Sequence, residues 1–159
     1  LAGNSNAQIE EAIESLPFSM VLASAELPDQ PIVYVNERFE QTTGYSAESV
    51  IGINCRFLQG DATDPAKVQE INNGLASGHD VTVDLENYKA DGTPFRNRLL
   101  ISPIRDESGA VVSYLGIQRE LPDGVDAPPT ATDDLLLSEL QHRVKNHLAM
   151  IVGLIRMHA

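Results

Sequence analysis

Between residues 81 and 119 three successive runs, Val81 to Tyr88, Phe95 to Ile101 and Val111 to Arg119, read as strands, and the first alternates apolar and polar side chains. A period of two over such lengths is the pattern of a half-buried strand and is incompatible with a helix. Asp91-Gly92 and Glu107-Ser108-Gly109 stand between the runs as turns, so the three strands form an antiparallel meander. The inward face of this meander is not uniformly apolar. Val81, Val83 and Leu85 are followed at the fourth inward position by Asn87, Phe95 is followed by Asn97 before Leu99 and Ile101, and Gln118 shares a face with Gly116 and Tyr114. With the first hairpin centred near Gly92, Asn87 and Asn97 are expected roughly opposite each other. A buried amide left without a partner costs about 1–3 kcal/mol. Two readings are therefore open: the amides satisfy one another, water or a loop, or they converge on a polar, planar ligand with donors and acceptors along one edge. Gly116 would let such a ligand approach the backbone closely.

The rest of the chain supplies what the meander packs against. Ile9, Ala12, Ile13 and Leu16 recur at helical spacing until Pro17, which predicts a short amphipathic helix over residues 1–17. Met20 to Ala23 and Ile32 to Val35 read as strands joined by a turn at Leu27-Pro28-Asp29-Gln30. Short helices follow: one capped by Asn36 and ended at Gly44, one capped by Ser46 and ended near Gly52, and one over about Thr63 to Leu75. In the last, Asp64 is the N-cap, Pro65 the first helical residue, and Val68, Ile71 and Leu75 share one face. Two early strands, short helices and a three-stranded meander describe an α+β domain with a five-stranded antiparallel sheet over residues 18–120. Leu121 to Thr132, rich in proline and acidic residues, reads as a linker, and residues 133–159 as a C-terminal amphipathic helix.

Composition narrows the function classes. At 159 residues and a formal net charge of −12, the chain has the size of one domain with a short appendage and repels phosphate backbones and anionic lipid. Neither nucleic acid nor a membrane is therefore an expected partner, and no apolar run reaches the roughly 18–20 residues of a bilayer span. A lone cysteine excludes an internal disulfide and a Cys-rich zinc cluster and fits a reducing, cytoplasmic compartment. Because the sequence opens on Leu1 rather than Met, it reads as a piece of a longer protein.

That cysteine lies in Gly52-Ile53-Asn54-Cys55-Arg56-Phe57-Leu58-Gln59-Gly60. A single Cys is most often a small buried hydrophobe, and no His adjoins Cys55 to make it a catalytic thiolate. The nine residues, however, resemble the flavin-binding signature of the LOV (light-oxygen-voltage) blue-light sensors, a branch of the PAS fold, with Ile53 the one departure from G-R-N-C-R-F-L-Q-G. The resemblance continues through Asn87-Tyr88, Asp91-Gly92, Asn97, Arg105-Asp106 and Gly116-Ile117-Gln118. It implies that Cys55 is the thiol that adds reversibly to carbon 4a of a flavin after blue light. It implies further that Asn54, Gln59, Asn87 and Asn97 hold the ring and ribityl chain, and that Val21, Leu58, Leu99 and Ile101 pack the ring. Gln118 would sit beside N5, rotate its amide when that nitrogen gains a proton, and pass the signal along its strand. Arg56 would pair with the phosphate of FMN, the implied cofactor. Many family members carry a second phosphate-binding Arg where this sequence has Asn72, which weakens discrimination against riboflavin.

In the C-terminal helix Leu137, Leu140, Val144, Leu148, Ile151 and Ile155 step by three or four residues, an apolar stripe suited to a coiled coil or bundle. His142 lies about 200° from both Leu140 and Val144, and so points away from the stripe. Glu139-Leu140-Gln141-His142-Arg143-Val144-Lys145-Asn146-His147-Leu148 resembles the phosphoacceptor box of HWE-type sensor histidine kinases. That likeness implies that His142 receives a phosphoryl group from ATP and passes it to an Asp of a response regulator, that two copies pair through this helix, and that the ATP-binding domain lies beyond the residues given, so this stretch alone does not phosphorylate itself. His142 and His147 are not i, i+4 partners and no H-E-x-x-H motif occurs, so no metal site is expected. Two other readings remain beside light-regulated kinase signalling: a flavin- or thiol-based redox sensor working in the dark, and a ligand-free PAS dimerisation module.

Overall fold

The computed structural model describes residues 18–122, 138–139 and 141–146. The helix expected over residues 1–17, the linker from residue 123 onward, His147 and the stripe positions Leu137, Leu140, Leu148, Ile151 and Ile155 lie outside the described residues. The elements run β1 (Ser19–Ser24), β2 (Ile32–Val35), α1 (Glu37–Thr43), α2 (Ala47–Val50), a 3-10 helix (Cys55–Leu58), α3 (Pro65–Ala76), β3 (Val81–Tyr88), β4 (Pro94–Arg105) and β5 (Val111–Leu121). They form the expected α+β architecture, a five-stranded antiparallel sheet in the order β2-β1-β5-β4-β3. Since β2 and β3 occupy opposite edges, the chain between them must cross the sheet, and its short helices cover one face.

The caps are those the sequence announces. Asn36, Ser46 and Asp64 each accept a backbone N–H of the helix that follows, and Gly44 ends α1 at φ 78°. Asn36 does more than cap. Its Oδ1 accepts from Phe39 N (3.0 Å) and from Met20 N (2.9 Å), and its Nδ2 donates to the Phe18 carbonyl (2.9 Å). One fully buried amide thus ties the start of the crossover to the first strand.

Two details of the meander differ from expectation. The β3–β4 register pairs Asn87 with Phe95 and Leu85 with Asn97, so the two asparagines are diagonal rather than opposite. The turn is tighter than a hairpin centred on Gly92, because Lys89 N donates to Thr93 O and Gly92 N to Lys89 O. The side-chain contact survives the shift, since diagonal neighbours on one face are still within reach, and Asn97 Nδ2 donates to Asn87 Oδ1 at 2.9 Å. Strand β4 also runs four residues past Ile101, through Pro103, beyond the last β3 pair at Val81–Ile101. There β4 is paired on one side alone, where a proline is tolerated. Strand β5 likewise continues to the buried Leu121.

Strands β4 and β5 are buried on both faces. Away from the crossover, Met20, Leu22, Leu100, Ile104, Val112, Leu115, Ile117 and Val144 form one apolar cluster. The described part of the C-terminal helix (138–139 and 141–146, all helical) supplies Val144 to it. Gln141 Nε2 donates to Ser102 Oγ on this face, and Lys145 Nζ lies 3.7 Å from Asp80 Oδ1. Asp84 and Arg98, directly opposite in register, form a bidentate pair at 2.8 and 2.9 Å.

Candidate functional site

A cavity of about 570 Å³ lies between the crossover and the sheet, a volume suited to a drug-sized or cofactor-sized ligand. Its wall includes Val21, Asn54, Cys55, Arg56, Leu58, Gln59, Asn87, Leu99, Ile101 and Gln118. These are residues that sequence reasoning assigned to cofactor binding, drawn from β1, the 3-10 helix, β3, β4 and β5. Asn97 is the exception. It is completely buried behind the wall and reaches the cavity only through Asn87, to whose Oδ1 it donates. His142 lies elsewhere, exposed on the C-terminal helix over the opposite face of the sheet.

Cys55 is the first residue of the 3-10 helix, and that helix is held by the residue before it. Asn54 Oδ1 accepts from Arg56 N (2.9 Å), while its Nδ2 donates to the Asp29 carbonyl (2.7 Å), clamping the loop between β1 and β2 to the cysteine segment. One amide hydrogen and one lone pair of Asn54 remain for a ligand. At the other end of the segment Gly60 is required by packing: a Cβ there would meet the Tyr88 ring at 2.4 Å. Tyr88 OH in turn accepts from Ala62 N (2.8 Å), and Thr63 Oγ1 donates to the Glu86 carbonyl, so the segment is tied to β3.

The environment of Cys55 decides its protonation. Part of the residue remains accessible, yet the atoms crowding it push the thiol up to about 12 by desolvation. At neutral pH it is a neutral thiol, the opposite of the electropositive setting in which reactive thiolates occur. Gln118 is buried opposite Ser19 in the β1–β5 register, and Ser19 Oγ donates to Gln118 Oε1 at 3.3 Å. Its neighbour Ile117 points through the sheet into the cluster that holds Val144.

Three observations bear on whether a planar, hydrogen-bonding ring fits. Asn97 Oδ1 is a buried acceptor with no partner among the described residues, in the amide pair that leads to the cavity. Gly116 lines the cavity, and a Cβ there would meet nothing closer than Leu99 Cδ1 at 3.6 Å. Its bareness is thus not imposed by neighbouring side chains; it leaves the floor open. Finally the wall combines apolar side chains (Val21, Leu58, Leu99, Ile101) with side-chain amides (Asn87, Gln118, Gln59). The residues present fit a flavin-like group.

The PAS domain family model matches residues 17–122. A solved LOV domain of a blue-light-activated histidine kinase from Erythrobacter litoralis is 42% identical, with a TM-score of 0.65, over 68% of this chain and 99% of that one. This chain belongs to the PAS family, in its LOV branch. A second LOV structure, from work on a flavin analogue, shares 37% identity and a TM-score of 0.69 over 86% of this chain and 96% of that one. Among curated proteins, "Blue-light-activated histidine kinase 2" of Erythrobacter litoralis is 45% identical over 151 residues, 94% of this chain. The chain spans 43% of that relative's length.

The cavity wall also holds two residues that sequence reasoning does not single out. The sequence marks Asp29 and Gln30 as a turn; both line the cavity, and both adopt left-handed backbone at φ 66° and 49°. Non-glycine residues held in that region cluster at functional sites, and the Leu-Pro-Asp-Gln composition was the available signal. Among the described residues no helix is long and apolar enough to cross a membrane, and no group of His, Cys, Asp or Glu is arranged to hold a metal ion.

Proposed function

We propose that this chain is the blue-light-sensing part of a histidine kinase, with a flavin in the cavity and Cys55 as its photoreactive thiol. The observation that carries the reading is the convergence of Cys55, the Asn87–Asn97 amide pair and Gln118 around one cavity with a glycine floor. When bound, the flavin supplies light absorption and a ring carbon to which the Cys55 thiol adds reversibly. Every other part belongs to the chain. Val21, Leu58, Leu99 and Ile101 exclude water from the ring; Asn54, Gln59 and Asn87 orient its polar edge and side chain, with Asn97 holding Asn87 from behind. FMN is the expected form, with Arg56 toward its phosphate, and riboflavin shares everything but that phosphate.

Cys55 keeps its proton in the dark, because desolvation disfavours the thiolate. This supports photochemistry over the rival reading of a dark thiol redox sensor, which needs an ionised sulfur. Gln118 is the relay. A primary amide offers both a donor and an acceptor, so a change of protonation beside it is answered by rotation, against the Ser19 contact that holds Oε1. Backbone displacement of β5 then reaches Ile117, and through the outer cluster Val144 and the helix that carries His142. His142 is the phosphoacceptor of the longer protein, with ATP as donor and a response-regulator Asp as acceptor, and two copies pair through this helix. A thiol that must stay reduced fits a reducing, cytoplasmic compartment.

The test is the absorption spectrum of the purified protein before and after blue light. A structured flavin band that bleaches and returns in the dark is expected. A flavin band that never bleaches would move the function to redox sensing, and failure to take up any flavin on reconstitution would leave a dimerisation module.

A further inference from the structure

The cysteine segment is held at both ends, and the two holds differ in kind. At its start Asn54 donates to the Asp29 carbonyl and accepts from Arg56 N, a grip made of hydrogen bonds. At its end the grip is one of shape. A Cβ on Gly60 would stand 2.4 Å from Tyr88 Cε2 and 2.6 Å from Cδ2, so the ring lies directly on the glycine backbone. Gly60 is not among the glycines with positive φ, and its own conformation does not call for a missing side chain. The ring of Tyr88 is what excludes one.

Hydrogen bonds fasten the chain around that contact. Gly60 N donates to Thr63 Oγ1 (3.0 Å), Thr63 N to the Gly60 carbonyl (3.0 Å), and Ala62 N to Tyr88 OH (2.8 Å). Thr63 Oγ1 donates to the Glu86 carbonyl. Residues 60–63 are thereby fixed to Glu86 and Tyr88, the two neighbours of Asn87 in β3. Gln59, one residue before the interlock, closes the 3-10 helix by donating its N–H to the Arg56 carbonyl. Both Gln59 and Asn87 line the cavity, and Tyr88 does not. One ring outside the cavity thus sets two of its amides relative to each other and fixes the helix on which Cys55 stands.

We propose that Tyr88 is a positioning residue for the Cys55 reaction: its ring, seated on Gly60, resists the shift of the 3-10 helix that bonding requires, and so speeds the return of the thiol in the dark. The proposal rests on the flavin reading of the cavity and adds what sets the rate of return. In the forward step the Cys55 sulfur bonds to a ring carbon and its proton passes to the adjacent ring nitrogen. The dark step breaks that bond and returns the proton, and nothing else is consumed. Passing from van der Waals contact to a covalent bond brings sulfur and carbon closer, so the helix that carries Cys55 has to move. A hold that opposes this movement destabilises the bonded state and lowers the barrier to its reversal. A helix released at one end follows the sulfur, and the bond persists.

The experiment compares the wild type with Tyr88→Ala, Tyr88→Phe, Gly60→Ala and the double variant Gly60→Ala/Tyr88→Ala. Two rates are read: the dark return of the bleached flavin band, and the alkylation of Cys55, the one cysteine of the chain, by iodoacetamide in flavin-stripped protein. Tyr88→Ala is expected to slow the dark return by about threefold to tenfold and to speed alkylation by a similar factor. Tyr88→Phe keeps the ring and is expected to stay within about twofold of the wild type in both. Gly60→Ala, with the ring in place, should weaken flavin binding about tenfold, and removing the ring in the double variant should restore it to within about threefold of the wild type. Ile104→Ala loosens the outer cluster without touching the cavity wall, and its dark return is expected at the wild-type rate. A Tyr88→Ala protein that recovers at the wild-type rate overturns the proposal, as does equal slowing in Ile104→Ala. A double variant that binds flavin no better than Gly60→Ala also overturns it, because the two positions then do not interlock. Should Tyr88→Ala fail to fold, Tyr88→Leu, which keeps apolar bulk without the flat ring, carries the same expectation. A wild type that takes up no flavin, or whose band never bleaches, overturns the flavin reading instead, while the alkylation rates of the flavin-free variants still decide whether Tyr88 holds the cysteine segment.

Discussion

The two faces of the sheet are built to opposite rules. On the outer face β4 and β5 present Leu100, Ile104, Leu115 and Ile117 to a closed cluster, and polar groups there come in pairs, Asp84 with Arg98 and Gln141 with Ser102. On the inner face the same two strands present Leu99, Ile101, Gly116 and Gln118 to a cavity, with Asn97 behind its wall, an acceptor of Asn97 left over and a glycine that its neighbours do not require. A stable α+β domain needs only the first arrangement. The second leaves volume unfilled and an amide acceptor unsatisfied, which is tolerable where a ligand completes the packing. Stability and function are thus separated by the thickness of one sheet, and β5 is the strand that belongs to both.

The comparison breaks most sharply at the cysteine. Cys55→Ala should abolish light-induced bleaching completely while flavin remains bound, as seen by absorption before and after illumination; residual bleaching would place the reactive group elsewhere. Next in size is the outer face. Leu115, fully buried in the closed cluster, should cost about 3 kcal/mol as Leu115→Ala in urea unfolding. Leu99→Ala, at the cavity wall, should cost about 1 kcal/mol in the flavin-free protein, since less packing is lost. Equal costs would mean that the two faces are packed alike.

Asp84→Asn should cost about 3 kcal/mol at pH 7, because Arg98 is nearly fully buried and loses its counter-charge. Arg98 holds the Asp84 carboxyl below its unfolded value of 3.8, so this contribution is present above that pH and is lost as acidity increases through the folded pKa. Acid unfolding of Asp84→Asn should accordingly be shallower than that of the wild type below about pH 4.

Gly116→Ala probes the inner face without disturbing the outer one. Its stability should change by less than about 1 kcal/mol, since the new methyl group meets ordinary contacts, whereas flavin affinity should fall about tenfold. The last effect, absent at neutral pH, concerns the Cys55 thiol. Its folded pKa of about 12 lies above the unfolded value of 9.0, so the folded state retains a proton that the unfolded chain releases. Stability is fully present below pH 9.0 and declines as pH rises toward 12, by about 1 kcal/mol per pH unit, in the wild type but not in Cys55→Ala.

Much of this organisation is legible in the sequence. The caps Asn36, Ser46 and Asp64, the span Val81–Tyr88 and the five-stranded α+β arrangement follow from local rules: side-chain oxygens that satisfy helix N–H groups, and a period of two that marks strands. Residues of the cavity wall such as Asn87, Gln118 and Cys55 were likewise found from polar groups on an apolar face and from a nine-residue motif. The register of Asn87 against Phe95 was not, because alternation defines which face a residue occupies but leaves pairing free by steps of two. Nor was the second buried face of β4 and β5, since a strand covered on both sides loses the alternation that reveals burial. Asp29 shows the same division most plainly. Sequence made it a turn residue by its tolerance of left-handed backbone; only the folding of that turn onto the cysteine segment, 27 residues away in the chain, set its carboxylate against Arg56 at the mouth of the cavity. Local conformational preference is written in neighbouring residues, whereas the charge balance of a site depends on distances that exist only after the chain has closed on itself.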